Sequence, residues 1–176
     1  MRVVVADASS LILLAKCGVL RDYSRRVDLQ VPHQVIDEVA SAPLVLRYAD
    51  AALVARLVDQ GSVRVVEVVS RRSLPLALGD GEAAAIRLLL QVDADLLLSD
   101  DGRAIRTCRI LGLPFTTSPR VVVDLYRQGV FRLAKARTAL ETLSVAGRYG
   151  RDVIAAALVA LQEEQTDDQT NDHPAS

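Results

Sequence analysis

The sequence predicts an α/β fold, a three-layer α/β/α sandwich around a central, mostly parallel sheet. Short β-branched or leucine runs alternate with stretches of helical periodicity, the order that builds a parallel sheet with helical crossovers on both faces. The core must come from Val, Leu, Ile and Ala, because 51% of the chain is apolar and only 3% aromatic. Sheets buried on both faces have that composition. Acidic residues directly follow some of these strands, where open α/β sheets form their sites.

Arg2–Ala6 (RVVVA) is a β-branched run that stops at Asp7. Ala8-Ser9-Ser10 then cap a helix through Leu11–Lys16, which Gly18 ends. Val19–Arg25 reads as a further short helix. Leu29-Gln30-Val31 is a second strand, stopped by Pro32, and the helix Gln34–Ser41 follows with Asp37 and Glu38 on it. Leu46–Gln60 has helical periodicity up to Gly61, and Val63–Val69 reads as a strand. After a loop over Arg71–Leu78, Gly79-Asp80-Gly81-Glu82 opens a helix through Leu90. Leu96-Leu97-Leu98 is a strand that stops at Ser99-Asp100-Asp101. The helix Gly102–Leu111 ends at Gly112, Pro114–Thr116 is the last short strand, and helices over Pro119–Gln128, Leu133–Ala146 and Arg151–Gln162 complete the body.

The expected organisation is one domain over residues 1–162 and a disordered acidic tail over 163–176. The last fourteen residues hold five acids and no Lys or Arg, and are almost free of apolar side chains. Without them the body has 21 basic and 17 acidic residues, a net charge of +4. That surplus alone does not establish a nucleic-acid partner. Cys17 and Cys108 lie in apolar helical stretches outside any CxxC, and read as buried free thiols. Two histidines, one of them in the tail, leave too few ligands for zinc. Asp7 interrupts the N-terminal apolar run too early for a signal segment, and Val153–Leu161, the longest apolar stretch, is far short of a membrane span. A cytoplasmic protein is expected.

The candidate chemistry lies in the acids. Asp7 follows the first strand, Asp100 and Asp101 follow the Leu96–Leu98 strand, Glu82 stands in the first turn of its helix, and Glu38 lies in the helix after the second strand. Carboxylates converging on one edge repel one another unless a hard, oxygen-seeking divalent cation offsets the charge. Such a cation activates water and stabilises charge developing at a phosphate. Each acid also has a plain structural reading. Asp7 and Asp100-Asp101 suit helix caps, Asp37 and Glu38 suit a solvated helix face, and Asp80 and Glu82 complement a helix N-terminus. The weight therefore rests on the set and its order. A receiver domain would need paired acids after the first strand and a late Lys near 114–119, and a haloacid-dehalogenase-like phosphatase would need an acid where Ser9 stands. Gly79-Asp80-Gly81-Glu82 is too short and too acidic to cradle phosphate.

Four segments in order resemble the motifs of PIN domains. VVVADASSLILLAKCG resembles their opening of strand, Asp, small residue, Ser and apolar helix; VPHQVIDEV resembles the second motif and places Glu38. LGDGEAAAIRLL resembles the third motif of a bacterial and archaeal branch in which a Gly-Glu pair opens the helix, which places Glu82. LLLSDDGRAIRTCRILGLP resembles the fourth motif, an acid pair followed by an Arg-bearing helix, and the resemblance spans about residues 2–162.

What the resemblance implies is an endoribonuclease dependent on Mg2+ or Mn2+, often a homodimer, with Asp7, Glu38, Glu82 and Asp101 as metal-binding and catalytic acids. Asp101 suits the Thr-x-Asp pattern of the wider family, and Asp100 stays open as the alternative ligand. Ser9 would orient Asp7 or a bound water. VapC-type toxins, which cleave RNA and are held by a cognate antitoxin, are among these relatives, so a toxin–antitoxin role is expected. The alternative is a non-catalytic PIN-like module that binds RNA or a protein. Arg103, Arg106 and Arg109 recur at i, i+3, i+6 beside the proposed site and are candidates for RNA phosphates, or else a solvated helix face. Scarce aromatics argue against base stacking.

Overall fold

The computed structural model describes residues 1–170. Along the chain run β1 (Val3–Ala6), α1 (Ala8–Lys16), α2 (Leu20–Ser24), β2 (Asp28–Pro32), α3 (His33–Val39), α4 (Ala42–Arg47), α5 (Ala49–Asp59), β3 (Val63–Val66), α6 (Asp80–Gln91), β4 (Leu96–Leu98), α7 (Gly102–Leu111), β5 (Phe115–Thr116), α8 (Ser118–Arg127), α9 (Leu133–Ala146) and α10 (Arg151–Thr170). The sheet order is β3-β2-β1-β4-β5, and every pairing is parallel. Val5 sits opposite Gln30 on one side and Leu97 on the other.

The two-residue period of the strands sorts the layers. Val4, Ala6, Leu96 and Leu98 point into a core shared with α1, α5, α8, α9 and α10. Val5 and Leu97 point the opposite way, into a smaller core with α6 and α7. The central strands are thus buried on both faces, as their unbroken apolar runs require. Truncating Leu97, wholly buried between the layers, to Ala would cost about 2–5 kcal/mol. The three-layer α/β/α expectation holds, and the sheet is parallel throughout. Cys17 packs against the larger core and Cys108 lies in the smaller one, both as free thiols.

Four expectations about elements need correction. The cap of α1 is Asp7, whose side chain accepts from the Ser10 N–H, so the helix starts at Ala8 and Ser9 and Ser10 lie inside it. The segment 46–60 is not one helix. Tyr48 is extended between α4, which buries no residue, and α5, which buries Ala51, Val54 and Leu57. Pro43 in the first turn starts α4 earlier than its hydrophobic periodicity suggests. The third strand stops at Val66, because the Gln91 side chain on α6 then accepts from the Val69 and Ser70 N–H groups and donates to the Glu67 carbonyl. Those backbone groups bond to a side chain where a strand would bond to the sheet.

The last correction concerns the C-terminal end. The last helix was expected over Arg151–Gln162, yet α10 runs to Thr170. Leu161, fully buried, anchors the helix, and the Glu and Gln that follow are good helix formers that extend an existing nucleus cheaply. Residues 171–176 lie outside the described residues. Among the described residues no helix is long and apolar enough to cross a membrane.

Candidate metal and nuclease site

The strand order reverses direction between β1 and β4, which makes their carboxyl ends the switch point of the sheet. Asp7 emerges there, only 1% exposed. Its N–H donates to the Leu98 carbonyl at 3.1 Å, so the backbone of β4 fixes where the residue stands. Asp7 Oδ1 accepts from the Ser9 hydroxyl at 2.8 Å, the Ser10 N–H at 3.0 Å and the Ser10 hydroxyl at 2.9 Å. The Ser99 hydroxyl donates to Oδ2 from β4. Among the described residues no cationic side chain bonds to Asp7. Burial pushes the Asp7 carboxyl up to about 6, and the bonds from Ser99, Ser10 and Ser9 hold it from rising further.

Asp100 and Asp101 follow Ser99 but do different work. Asp101 caps α7, its Oδ1 accepting from the Arg103 and Ala104 N–H groups at 2.8 and 2.9 Å. Its own N–H donates to the Ser99 hydroxyl. Asp100 turns towards α8 and the α9–α10 loop. It accepts from the Ser118 N–H and the Tyr149 hydroxyl on Oδ1, at 2.9 and 2.7 Å, and from the Ser118 hydroxyl on Oδ2. Burial raises the Asp100 carboxyl, with Ser118 and Tyr149 opposing. The Asp100 N–H donates to the Ser9 hydroxyl at 3.1 Å, so Ser9 ties the β1 end to the β4 end.

Glu38 and Glu82 form a second group, where α3 meets the start of α6. Glu38 Oε1 accepts from the Gly81 N–H at 3.1 Å. The carboxyl group rests on the Gly81 α-carbon: a methyl group there would stand 2.6–2.9 Å from its oxygens and Cδ. Any other residue at 81 would displace it. Glu38 is exposed as a whole residue, but this contact covers its carboxyl end. That cover raises the carboxyl first, the Glu82 charge raises it next and Asp80 adds to both, against the Gly81 hydrogen bond. Two carboxylates brought together at a helix N-terminus are suited to sharing a cation.

The expected acids therefore all stand at the carboxyl edge of the sheet, but in two groups. Asp7, Asp100 and Asp101 are joined through serine hydroxyls, while Glu38 and Glu82 adjoin across Gly81. Among the described residues no three His, Cys, Asp or Glu side chains converge as a cage for a metal ion. The donor chemistry, all hard carboxylate oxygen, fits Mg2+ or Mn2+. The spacing of the side chains does not close around one ion.

Ser9 orients Asp7, one of the two roles expected of it. Arg103 and Arg106 are exposed on α7, Arg103 in the first turn beside Asp101. Arg109 lies at the far end of that helix with its guanidinium 5.5 Å from the centre of the Phe115 ring, so the three arginines do not form one surface at the acids. Sequence reasoning missed Ser10, Ser99, Ser118, Tyr149 and the steric role of Gly81. Serines adjoining a strand-end acid were a usable signal for the first two. Nothing local announces that Ser118 and Tyr149 meet Asp100.

A search of curated proteins finds no match to the chain. A protein-family model described as a PIN domain (DUF3368) matches residues 3–164. With strand-end acids at the switch point of a parallel sheet and that match over nearly the whole chain, the protein belongs to this PIN domain family.

Proposed function

We propose that this protein is an endoribonuclease dependent on Mg2+ or Mn2+, in which Asp7, Glu38, Glu82 and Asp101 hold the metal. Membership of a family of nuclease-type folds supports hydrolysis of nucleic-acid phosphodiesters at the coarse level. The observation that carries the finer reading is the treatment of Asp7. A carboxylate sunk at the switch point and surrounded by hydroxyl donors, with no cationic side chain bonded to it, is arranged to stay available to a cation from outside. When bound, such a cation would activate water and offset charge at the phosphate. Ser9, Ser10 and Ser99 hold Asp7 in one rotamer, and Gly81 brings Glu38 against Glu82. Asp101 is preferred over Asp100 as the fourth acid, because Ser99-Asp100-Asp101 suits the Thr-x-Asp pattern of the wider family and Asp100 is turned towards Ser118 and Tyr149.

The resemblance to VapC-type chains supports a toxin role, a cognate antitoxin, a homodimer and a cytoplasmic setting. An overlapping upstream gene for a small ribbon-helix-helix or AbrB-like protein is the expected genomic mark. The direct test is cleavage of a broad RNA panel in Mn2+, wild type against Asp7→Asn. Cleavage by the wild type alone is expected, and no cleavage of any RNA by the wild type would remove the enzyme reading. A second reading, a PIN-like module that binds RNA or protein without cutting, has its own support in the acids standing as two groups.

A further inference from the structure

One groove, of about 260 Å³, opens beside the acids between α1 and the loop that joins α9 to α10. Ser9, Ile12 and Lys16 line it from α1, Asp100 and Asp101 from the end of β4, and Arg148 from the loop. Positions 9, 12 and 16 share one helical face, so the groove follows α1 away from the acids for about 10 Å. It is polarised, with Asp100 and Asp101 near Ser9 and the Lys16 ammonium at the other end.

The loop that brings Arg148 there is held in place. The Tyr149 hydroxyl donates to Asp100 at 2.7 Å, and Asp100 is in turn bonded to Ser118 of α8. Gly147 lets the Tyr149 ring fold back over it, since a methyl group at 147 would collide with the ring. Arg148, next to this latch, forms no ion pair among the described residues. Lys16 reaches Asp50 only at 3.9 Å, with its side chain 49% exposed. Both cations remain able to take an anion. Lys is rare here, occurring only at 16 and 135, and suits a point-charge phosphate contact.

We propose that this groove is the track of the RNA backbone, in which Lys16 and Arg148 grip a phosphate next to the one presented to the acids. The inference rests on the endoribonuclease reading of the same cleft and adds the substrate path to it. Asp100 then serves as the socket that fixes the Arg148 loop, and Tyr149 is a positioning residue. The floor is aliphatic at Ile12 and Leu13, so the grip reads the backbone and not base identity.

The test is binding of a short fluorescein-labelled single-stranded RNA by anisotropy in EDTA, with KCl varied over about 50–200 mM, alongside cleavage in Mn2+ and circular dichroism to verify folding. Lys16→Gln and Arg148→Gln are each expected to weaken binding about three- to tenfold and to lower the slope of log affinity against log salt by about 0.7. Tyr149→Phe, which removes no charge, should mimic Arg148→Gln in slope. Arg25→Gln, at the opposite edge of the sheet, should leave the slope unchanged. If the wild type binds and cleaves RNA while Lys16→Gln and Arg148→Gln match its affinity and slope, the track is wrong and the nuclease reading stands. An equal loss of slope in Arg25→Gln would mean diffuse charge attraction and also overturn the track. If the wild type neither binds nor cleaves, both proposals fall.

Discussion

At the ends of β1 and β4, Asp7 is buried and its oxygens are bonded to Ser9, Ser10 and Ser99. At the start of α6, Glu38 and Glu82 adjoin with one backbone N–H and a missing methyl group to place them. The first half is fixed by donors before any ligand arrives. The second is a pair of acids with fewer bonds to place them, in which burial and the Glu82 charge raise the Glu38 carboxyl. Under the proposed function these are a rigid half, which sets the geometry, and a yielding half, which completes the metal site.

The largest expected effect comes from the rigid half. Asp7→Asn should lower Mn2+-dependent cleavage about a thousandfold, roughly 4 kcal/mol of barrier, in a steady-state assay. A variant that cuts within tenfold of wild type would place the chemistry elsewhere.

The next effect is a pH dependence of stability in metal-free protein. Folding raises the Asp7 carboxyl from 3.8 to about 6, so between those values the native state holds a proton that the unfolded chain has released. Melting in EDTA should therefore show stability falling as pH rises through that window, by on the order of 3 kcal/mol at most, and then levelling. Excess Mg2+ should offset the loss above pH 6, because the ion binds the ionised form. A flat profile in EDTA would mean that the hydroxyl donors fully compensate the burial.

A smaller effect belongs to the yielding half. Gly81→Ala should weaken Mg2+ affinity about tenfold by calorimetry while leaving the melting temperature nearly unchanged. Adding Glu38→Asp, which shortens the displaced acid, should restore part of the affinity. Equal affinity in Gly81→Ala would show that Glu38 does not hold the ion.

The smallest test concerns what a hydroxyl is worth away from the site. Thr107 Oγ1, on the buried face of α7, has no hydrogen-bond partner among the described residues, unlike the serines around Asp7. Thr107→Val should stabilise the fold by about 1 kcal/mol in urea denaturation and leave cleavage alone.

Where punctuation and period agree, the amino-acid sequence predicts the structure residue by residue. β4 spans Leu96–Leu98 and α7 spans Gly102–Leu111, as expected, because Ser99-Asp100-Asp101 stops the strand and Gly112 takes a left-handed turn after the helix. The break at Tyr48 and the early end of β3 were invisible because tertiary partners, the α5 packing face and the Gln91 side chain, decide them. The site divides the same way. The acids could be named from their positions after strands. The donors that orient them come from segments far apart in the chain, and no local period encodes such a meeting. The division of the acids into two groups was not legible either, since topology brings residues to one edge without fixing their side-chain distances.

The strand order has a consequence for how the molecule comes into being. β1 is made before the other four strands of its sheet yet ends up in the middle of it, and Asp7 finds Ser99 only across 92 positions of sequence. A chain leaving the ribosome carries an Asp7 without its Ser99 and Leu98 partners until β4 has been synthesised and docked. The loop bearing Arg148 and Tyr149 arrives later still. The cleft is therefore assembled only once the loop after α9 has docked on Asp100, and a chain stalled before Tyr149 lacks it.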